Sequence, residues 1–394
     1  MSVALFLYTN YHKFQGTMKI IVNRALLGEA ANLLARVINP KNALPILADV
    51  LFDVKDNEVT LTASDSEVTL STTIGLDTME GDGRFCVSAK DLSTALAELT
   101  DEKVTIIATL ESDMRFTLQH NSGETYFPID NADEYPLPKQ EQVSEPVTLK
   151  GHQVKEALKR SLWATASDDL RPIMNGVCFA LKDGWLDIVT SDGHVLVKSR
   201  INAIEGAKIT DEFRMTIPKK AATLLGGVLS GDPVKVSWNE HSCRMEFWPY
   251  TLDMRLVEGK YPNYNSIIPE DQPLEAIVLR AFALCSLKKV VPFSADNNGS
   301  HMVRLSLTKD RMKLTAEDFD FAKGSHDSFY VEYPHDDIEI GVSGSRLAAV
   351  LSKLSGGEMR MCLTDPSHAI TFEPSEQDED CEVLMLTMPM LLSE

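Results

Sequence analysis

Positive charge is scarce in this chain: 38 lysines and arginines stand against 58 aspartates and glutamates, for a formal net charge of −20. Taken alone, that balance argues against a nucleic-acid partner. The chain has no apolar run near the about 18 residues needed to span a membrane as a helix. It also has no C-x-x-C pair; the six cysteines (86, 178, 243, 285, 362 and 381) are scattered. That excludes the common zinc patterns and a disulfide framework, and the thiols read as small buried hydrophobes in a reducing cytoplasm. The phosphate-cradling G-x-x-x-x-G-K-[ST] loop is missing, so the chain has no nucleotide-driven step of its own. Asp378-Glu379-Asp380 and Asp336-Asp337 lack the spaced carboxylates and glycine of a calcium loop and read as solvated loops. No metal and no cofactor are expected. Near the N-terminus, Val3–Tyr8 is apolar but has no basic leader. Lys19-Ile20-Ile21-Val22 reads as a first strand, so residues 1–17 are expected to be an extension, disordered or a start-site artefact.

What is present is repetition. Leu44-Pro45-Ile46-Leu47 through Leu61-Thr62-Ala63-Ser64-Asp65 returns as Arg171-Pro172-Ile173-Met174 through Val189-Thr190-Ser191-Asp192, and Leu314-Thr315-Ala316-Glu317-Asp318 is a weaker third copy. Phe85-Cys86-Val87-Ser88 runs into Leu92, Leu96 and Leu99; Met215-Thr216-Ile217 into Leu224, Leu225 and Leu229; Ile340-Gly341-Val342-Ser343 into Leu347, Leu351 and Leu354. In each, a short strand leads into an amphipathic helix. Period-two hairpins follow at Val104–Leu110 with Arg115–Gln119, Val234–Trp238 with Arg244–Trp248, and Arg360–Thr364 with Ala369–Glu373. Tyr135-Pro136 and Tyr261-Pro262 mark linkers. The expectation is an α+β chain of three similar domains, at 18–139, 140–270 and 271–394, each with two helices.

The charge is not spread evenly over these elements. The six helical spans (23–38, 88–99, 150–166, 218–229, 279–293 and 343–354) carry a net charge of +10, and the remainder −30. Basic residues on one helix usually mean a solvated face. The same bias on six helices points instead to a polyanion facing the helices, with an acidic exterior that repels one. No zinc finger, helix-turn-helix or basic zipper accompanies the charge, so contact would be to phosphates and independent of sequence.

At this point the residues resemble a known family, the bacterial DNA polymerase III beta subunits or beta sliding clamps. The motifs that carry the likeness are Ala43-Leu44-Pro45-Ile46-Leu47, Asp169-Leu170-Arg171 through Met174-Asn175-Gly176, Ser191-Asp192-Gly193-His194 and Met388-Pro389-Met390. The resemblance implies a head-to-tail homodimeric ring of six domains, with helices lining the pore and antiparallel sheets outside. It also implies a non-enzymatic processivity factor of DNA replication. Its partners would be double-stranded DNA, the replicative polymerase, the clamp loader and other proteins carrying short clamp-binding peptides; no membrane is among them. By matching position, the peptide pocket would use Met174, Ser191, Gly193, His194 and Leu196, then Pro262 and Ile267, then Leu386, Met388, Pro389, Met390 and Leu392. DNA contact would fall to Lys41, Lys90, Arg171, Lys219 and Arg346, and charge alone adds Lys220. The chain departs from the family at Leu391, where a basic residue is usual, and at Pro172 and Ile173, where aromatics occur.

Two rival readings stand beside this one. Ser191-Asp192-Gly193-His194 holds the residue types of a hydrolytic triad, but neighbours on one turn point apart, and the counterpart Thr62-Ala63-Ser64-Asp65 has no histidine. The other is a repeat-built, non-enzymatic interaction scaffold that never closes on DNA.

Overall fold

The computed structural model describes residues 16–39, 41–110, 114–137, 143–168, 170–202, 212–295 and 301–392. One order of elements runs through it three times: strand, helix, four strands, helix, three strands, with two extra short strands, Thr78–Glu80 and Asp130–Asn131, in the first repeat outside that order. The helices are α1 (Arg24–Leu34), α2 (Ala89–Ala97), α3 (Gly151–Ser161), α4 (Lys219–Val228), α5 (Arg280–Val290) and α6 (Gly344–Lys353). All six expected helices are there, each shorter than its expected span. Side-chain caps explain three of the starts. Asn23, Ser88 and Ser343 accept hydrogen bonds from Leu26, Asp91 and Arg346 N–H at 3.1, 3.3 and 3.4 Å, which satisfies amides the first turn leaves unpaired.

Within each repeat the two helices pack as a pair, α1 on α2, α3 on α4 and α5 on α6. Their apolar stripes face the sheets: Leu27 and Leu34, Leu92 and Leu96, Val154 and Leu158, Leu347 and Leu351 are buried. Each such side chain contributes roughly 1.5–3 kcal/mol by leaving water. No helix among the described residues is long and apolar enough to cross a membrane.

By compactness the chain divides into two units, residues 1–144 with 237–255, and residues 145–236 with 256–394. This division does not follow the repeats, because strand pairing joins one repeat to the next. In the first unit, Val68–Gly75 of repeat one pairs antiparallel with Tyr250–Arg255, the last strand of repeat two, with Leu70 opposite Leu252. In the second unit, Val195–Ile201 of repeat two pairs with Cys381–Thr387, the last strand of repeat three, with Val197 opposite Met385. The two joints use equivalent strands in equivalent register.

Two strands of these classes are left over. Lys323–Tyr330, the third-repeat counterpart of Val68–Gly75, is the edge of a four-stranded sheet in the second unit. Gly123–Pro128, the last strand of repeat one, is the edge of a five-stranded sheet in the first. It is held from behind by Phe127, whose ring stacks on Phe116 at 4.8 Å between centroids. Phe116 in turn meets Phe52 at 6.0 Å, and Phe52 stacks on Phe85 at 5.0 Å.

The first strand begins at Thr17, opposite Thr109, and the Gly16 carbonyl accepts the Leu110 amide at 3.1 Å. The expected extension therefore gives way to strand at its last residue. Residues 1–15, residues 111–113, Asp169 and residues 393–394 lie outside the described residues.

Candidate peptide-binding site and basic helix starts

The site expected to bind peptides lies entirely in the second unit. Its centre is the turn that follows strand Trp185–Ser191. Asp192 Oδ1 accepts from the amides of His194 and Val195 at 2.7 and 2.8 Å, a local carboxylate cap that fixes the reversal. Ser191 Oγ donates to the Val195 carbonyl at 2.7 Å and accepts from Gly193 N–H at 3.1 Å. These bonds occupy the serine, aspartate and turn amides in structure. Among the described residues, no hydrogen bond joins the Ser191 hydroxyl to an imidazole. Gly193 has φ +91°, and a Cβ there would sit 2.7 Å from Arg171 Nη1. Glycine is favoured by the backbone conformation, and a side chain here would push the Arg171 guanidinium aside.

Beyond the turn, Leu196 lies directly opposite Leu386 in the strand register. Both are buried in a cluster with Cys178, Tyr261 and Tyr264, against which Ile173 and Ile268 pack. The linker Tyr261–Ile268 is thus part of the site's floor. Pro262 and Ile267 are exposed at either side of Tyr264, and the Pro262 carbonyl accepts Arg214 Nη2 at 3.0 Å. Met174 is buried on the short 3-10 helix Pro172–Asn175, its amide bonded to the Arg171 carbonyl at 2.9 Å.

The C-terminal segment is stitched across two strands. Met388 N–H donates to the His194 carbonyl at 2.8 Å, and Met390 N–H to the Gly341 carbonyl at 2.8 Å. Pro389 stands half-buried between them. A Cβ on Gly341 would meet the Met390 carbonyl oxygen at 2.5 Å and Leu392 Cδ2 at 3.0 Å. Only glycine lets the tail lie this close. Met388 and Ile267 remain 37% and 43% exposed, while Leu391, the departure from the family pattern, is 95% exposed and turned away from the packing. The result is an apolar surface with a buried leucine floor and methionine and isoleucine rims, an adaptable composition for short aliphatic or aromatic anchors.

The structure ties Ser191, Gly193, His194, Leu196, Leu386 and Met388 together directly. Met390 and Leu392 join through Gly341, Pro262 and Ile267 through the Tyr264 linker, and Met174 through Arg171. Asp192, Gly341, Tyr261 and Tyr264 were not among the residues expected to line the pocket, although Asp192 stood in its motif and Tyr261 at the linker.

Arg171 and Arg346, expected on DNA, both converge on Asp192. Arg171 Nη2 donates to the Asp192 carbonyl at 3.2 Å and lies 3.6 Å from Asp168 Oδ2, and Arg346 Nη2 is 3.5 Å from Asp192 Oδ2. They hold the turn of the apolar site. Lys41, Lys90 and Lys219 are exposed, and Lys220 is half-buried. Their positions carry a physical signal. Lys90, Lys219 and Lys220 sit in the first turns of α2 and α4, as Arg24, Arg280 and Arg346 do in α1, α5 and α6. A cation there opposes the helix dipole at a cost of about 0.3–1 kcal/mol each. Three of the arginines have local uses: Arg24 donates to the Asp101 carbonyl, Arg280 to those of Gly356 and Leu351, and Arg346 meets Asp192. By contrast, Lys159, Arg160, Lys288 and Lys289 occupy last turns, where the dipole favours them. The acidic residues on the six helices reduce to Glu29, Asp91 and Glu156.

Comparison with known proteins places the chain. Family models for the DNA polymerase III beta subunit match its N-terminal domain at residues 18–139, its central domain at 148–263 and its C-terminal domain at 265–390. The beta sliding clamp of Haemophilus influenzae is 24% identical over 378 residues, covering 94% of this chain and 100% of that protein. That of Synechococcus elongatus is 24% identical over 382 residues, covering 95% and 100%. Among solved structures, a sliding clamp of Pseudomonas aeruginosa bound to griselimycin superposes with a TM-score of 0.89 at 23% identity, covering 96% of this chain and 100% of that one. The beta subunit of Thermotoga maritima gives a TM-score of 0.86 at 23% identity, covering 95% and 100%. The fold is therefore that of the sliding clamps. The chain belongs to the DNA polymerase III beta subunit family.

Proposed function

We propose that copies of this chain close head to tail into a ring around duplex DNA, and that the apolar site tethers a polymerase, a clamp loader and other proteins bearing short peptides. The protein holds DNA by linkage and performs no chemistry itself. Exposed lysines at the starts of α2 and α4 offer weak, salt-sensitive phosphate contact, which suits a sliding body better than tight grip does.

One observation carries this reading: among the described residues, these two edge strands are the complementary halves of a joint the chain already makes twice. Lys323–Tyr330 is the kind of strand that receives, and Gly123–Pro128 the kind that is received. An open strand edge is a template for pairing with another chain. Satisfying both by the same rule requires another copy, and a heterologous contact of this kind closes into a ring if the rotation permits. Carrying over the register of the internal joints puts Thr125 of one copy opposite Ser325 of the next. The scaffold reading leaves both edges open.

The test is a Thr125→Cys/Ser325→Cys double variant, with mass measured before and after oxidation and each single variant as control. A dimer in solution, covalently joined only in the double variant, supports the ring. A monomer with no cross-link favours the scaffold.

A further inference from the structure

On the face of the second unit's eight-stranded sheet that carries Tyr264 lies a cleft of about 550 Å³, which adjoins the apolar site through Tyr264 and through Arg214, the donor to the Pro262 carbonyl. Its floor follows from the register. One row across five strands reads Arg214, Ala180, Asp187, Arg200 and Glu382. A single small residue, Ala180, stands among long ones and leaves a trough. Strand spacing of about 4.8 Å sets the two arginines about 14 Å apart across it.

The cations are seated on rings. Arg200 lies 5.4 Å from the Trp185 centroid, Arg214 5.1 Å and Lys198 5.6 Å from that of Tyr264. Tyr264 is buried, and its hydroxyl donates to Asp187 Oδ2 at 2.9 Å, so the platform is fixed. Asp187 lies 3.4 Å from Lys198 Nζ but 3.8 Å from Arg200 Nε, too far for a hydrogen bond, and Arg200 remains 39% exposed. Lys182, 4.0 Å from Glu212, completes four cations in the cleft, against Asp187, Glu212 and, at the end of the row, Glu382. That is a net positive trough on a protein of charge −20. Guanidinium groups held over aromatic faces lose less freedom when they engage a carboxylate in bidentate fashion.

We infer that this trough is a second docking surface, for an acidic segment of a partner protein, which shares the Tyr264 linker with the apolar site but not its leucines and methionines. Charge complementarity selects the ligand's sign. The surroundings select a peptide over a nucleic acid: the adjoining cleft, which shares Lys198, Arg200 and Asn265, is rimmed by Glu270, Asp378, Glu379 and Glu382. A backbone with a charge on every unit would meet that rim, whereas a peptide can place one or two carboxylates on the arginines and neutral residues elsewhere. Arg200 and Arg214 are the recognising groups, and Trp185 and Tyr264 their seats.

The probe is a fluorescein-labelled twelve-residue peptide of alternating glutamate and serine, which has no apolar anchor, followed by fluorescence polarisation with the full chain. Binding near 100 μM at low salt, weakened at high salt, is expected. Arg200→Gln should weaken it about tenfold and Trp185→Leu about threefold, while a Met390→Ala/Leu392→Ala variant of the apolar site binds as wild type does. If Arg200→Gln melts early, Lys182→Gln on a 70% exposed side chain should still weaken binding, about threefold. Absence of binding to the wild type overturns the inference, as does binding that neither Arg200→Gln nor Lys182→Gln changes. Loss only in the double variant also overturns it and places the peptide in the apolar site. A twelve-nucleotide thymidine strand binding as tightly, with the same Arg200 dependence, overturns the choice of a peptide.

Discussion

The same turn occurs twice in this molecule, and the two copies have different duties. In repeat one, Asp65 Oδ1 accepts from the amides of Glu67 and Val68 at 3.0 and 2.8 Å, as Asp192 does from His194 and Val195 in repeat two. Ser66 takes the position of Gly193 with φ +79°. It is tolerated because Leu44, and not an arginine, stands where Arg171 does. Tyr135 seals the first copy and donates to the Thr62 carbonyl at 3.5 Å. A further exchange puts Asp49 at the position of Gly176. Asp49 is buried, and desolvation, then a hydrogen bond to Asp130, pushes its pKa up to about 7. A Cβ on Gly176 would instead meet Thr216 Cγ2 at 2.5 Å. The backbone frame is shared; the apolar surface comes from a handful of exchanges and a tail that crosses the second copy.

That contrast can be broken in stages. The largest effect is expected from Gly341→Val, which denies the tail its seat. Peptide affinity should fall by about a hundredfold in fluorescence polarisation, some 2.7 kcal/mol, while the oxidised Thr125/Ser325 cysteine pair still forms. Retained affinity would show that the tail's seat is not needed.

Next, Asp49→Asn probes the structural copy. The ionised carboxyl is disfavoured in the folded state, so the folded chain binds more protons than the unfolded one between about pH 4 and 7. Stability therefore falls as pH rises through that window and levels off above it. At pH 8 Asn should raise stability by about 2 kcal/mol, with no difference below pH 4, in urea melts followed at both pH values. A pH-independent effect would mean the two carboxyls do not share a proton.

The smallest pair sharpens the comparison directly. Gly193→Ala should cost about 1–2 kcal/mol and weaken peptide binding about tenfold, because it strains the turn and displaces Arg171. Ser66→Ala should stay within about 0.5 kcal/mol. Equal costs at both turns would remove the guanidinium from the explanation.

Much of this was legible beforehand. The repeat gave the order of elements, leucine spacing gave the helices, and alternation placed the hairpins to within about two residues. The last strand of each repeat was harder to see: Gly-Glu-Thr-Tyr-Phe-Pro at 123–128 has no clean alternation, yet these strands make the joints. At the site, the turn and the methionine tail stand out in the chain. Gly341 does not, because as a strand residue its reason lies in a tail far along the sequence. The convergence of Arg171 and Arg346 on Asp192 was equally hidden; a position matched to a family does not reveal which arginines are already engaged.

The joints also bear on how such a protein changes over generations. Each is written in main-chain amides and carbonyls, groups that every residue but proline supplies. Substitution at the facing positions, leucine pairs in one joint and valine with methionine in the other, leaves the hydrogen bonds in place. Distant relatives can therefore drift over most of their surface and keep the same architecture, while the few glycines that admit an arginine or a tail have no such freedom.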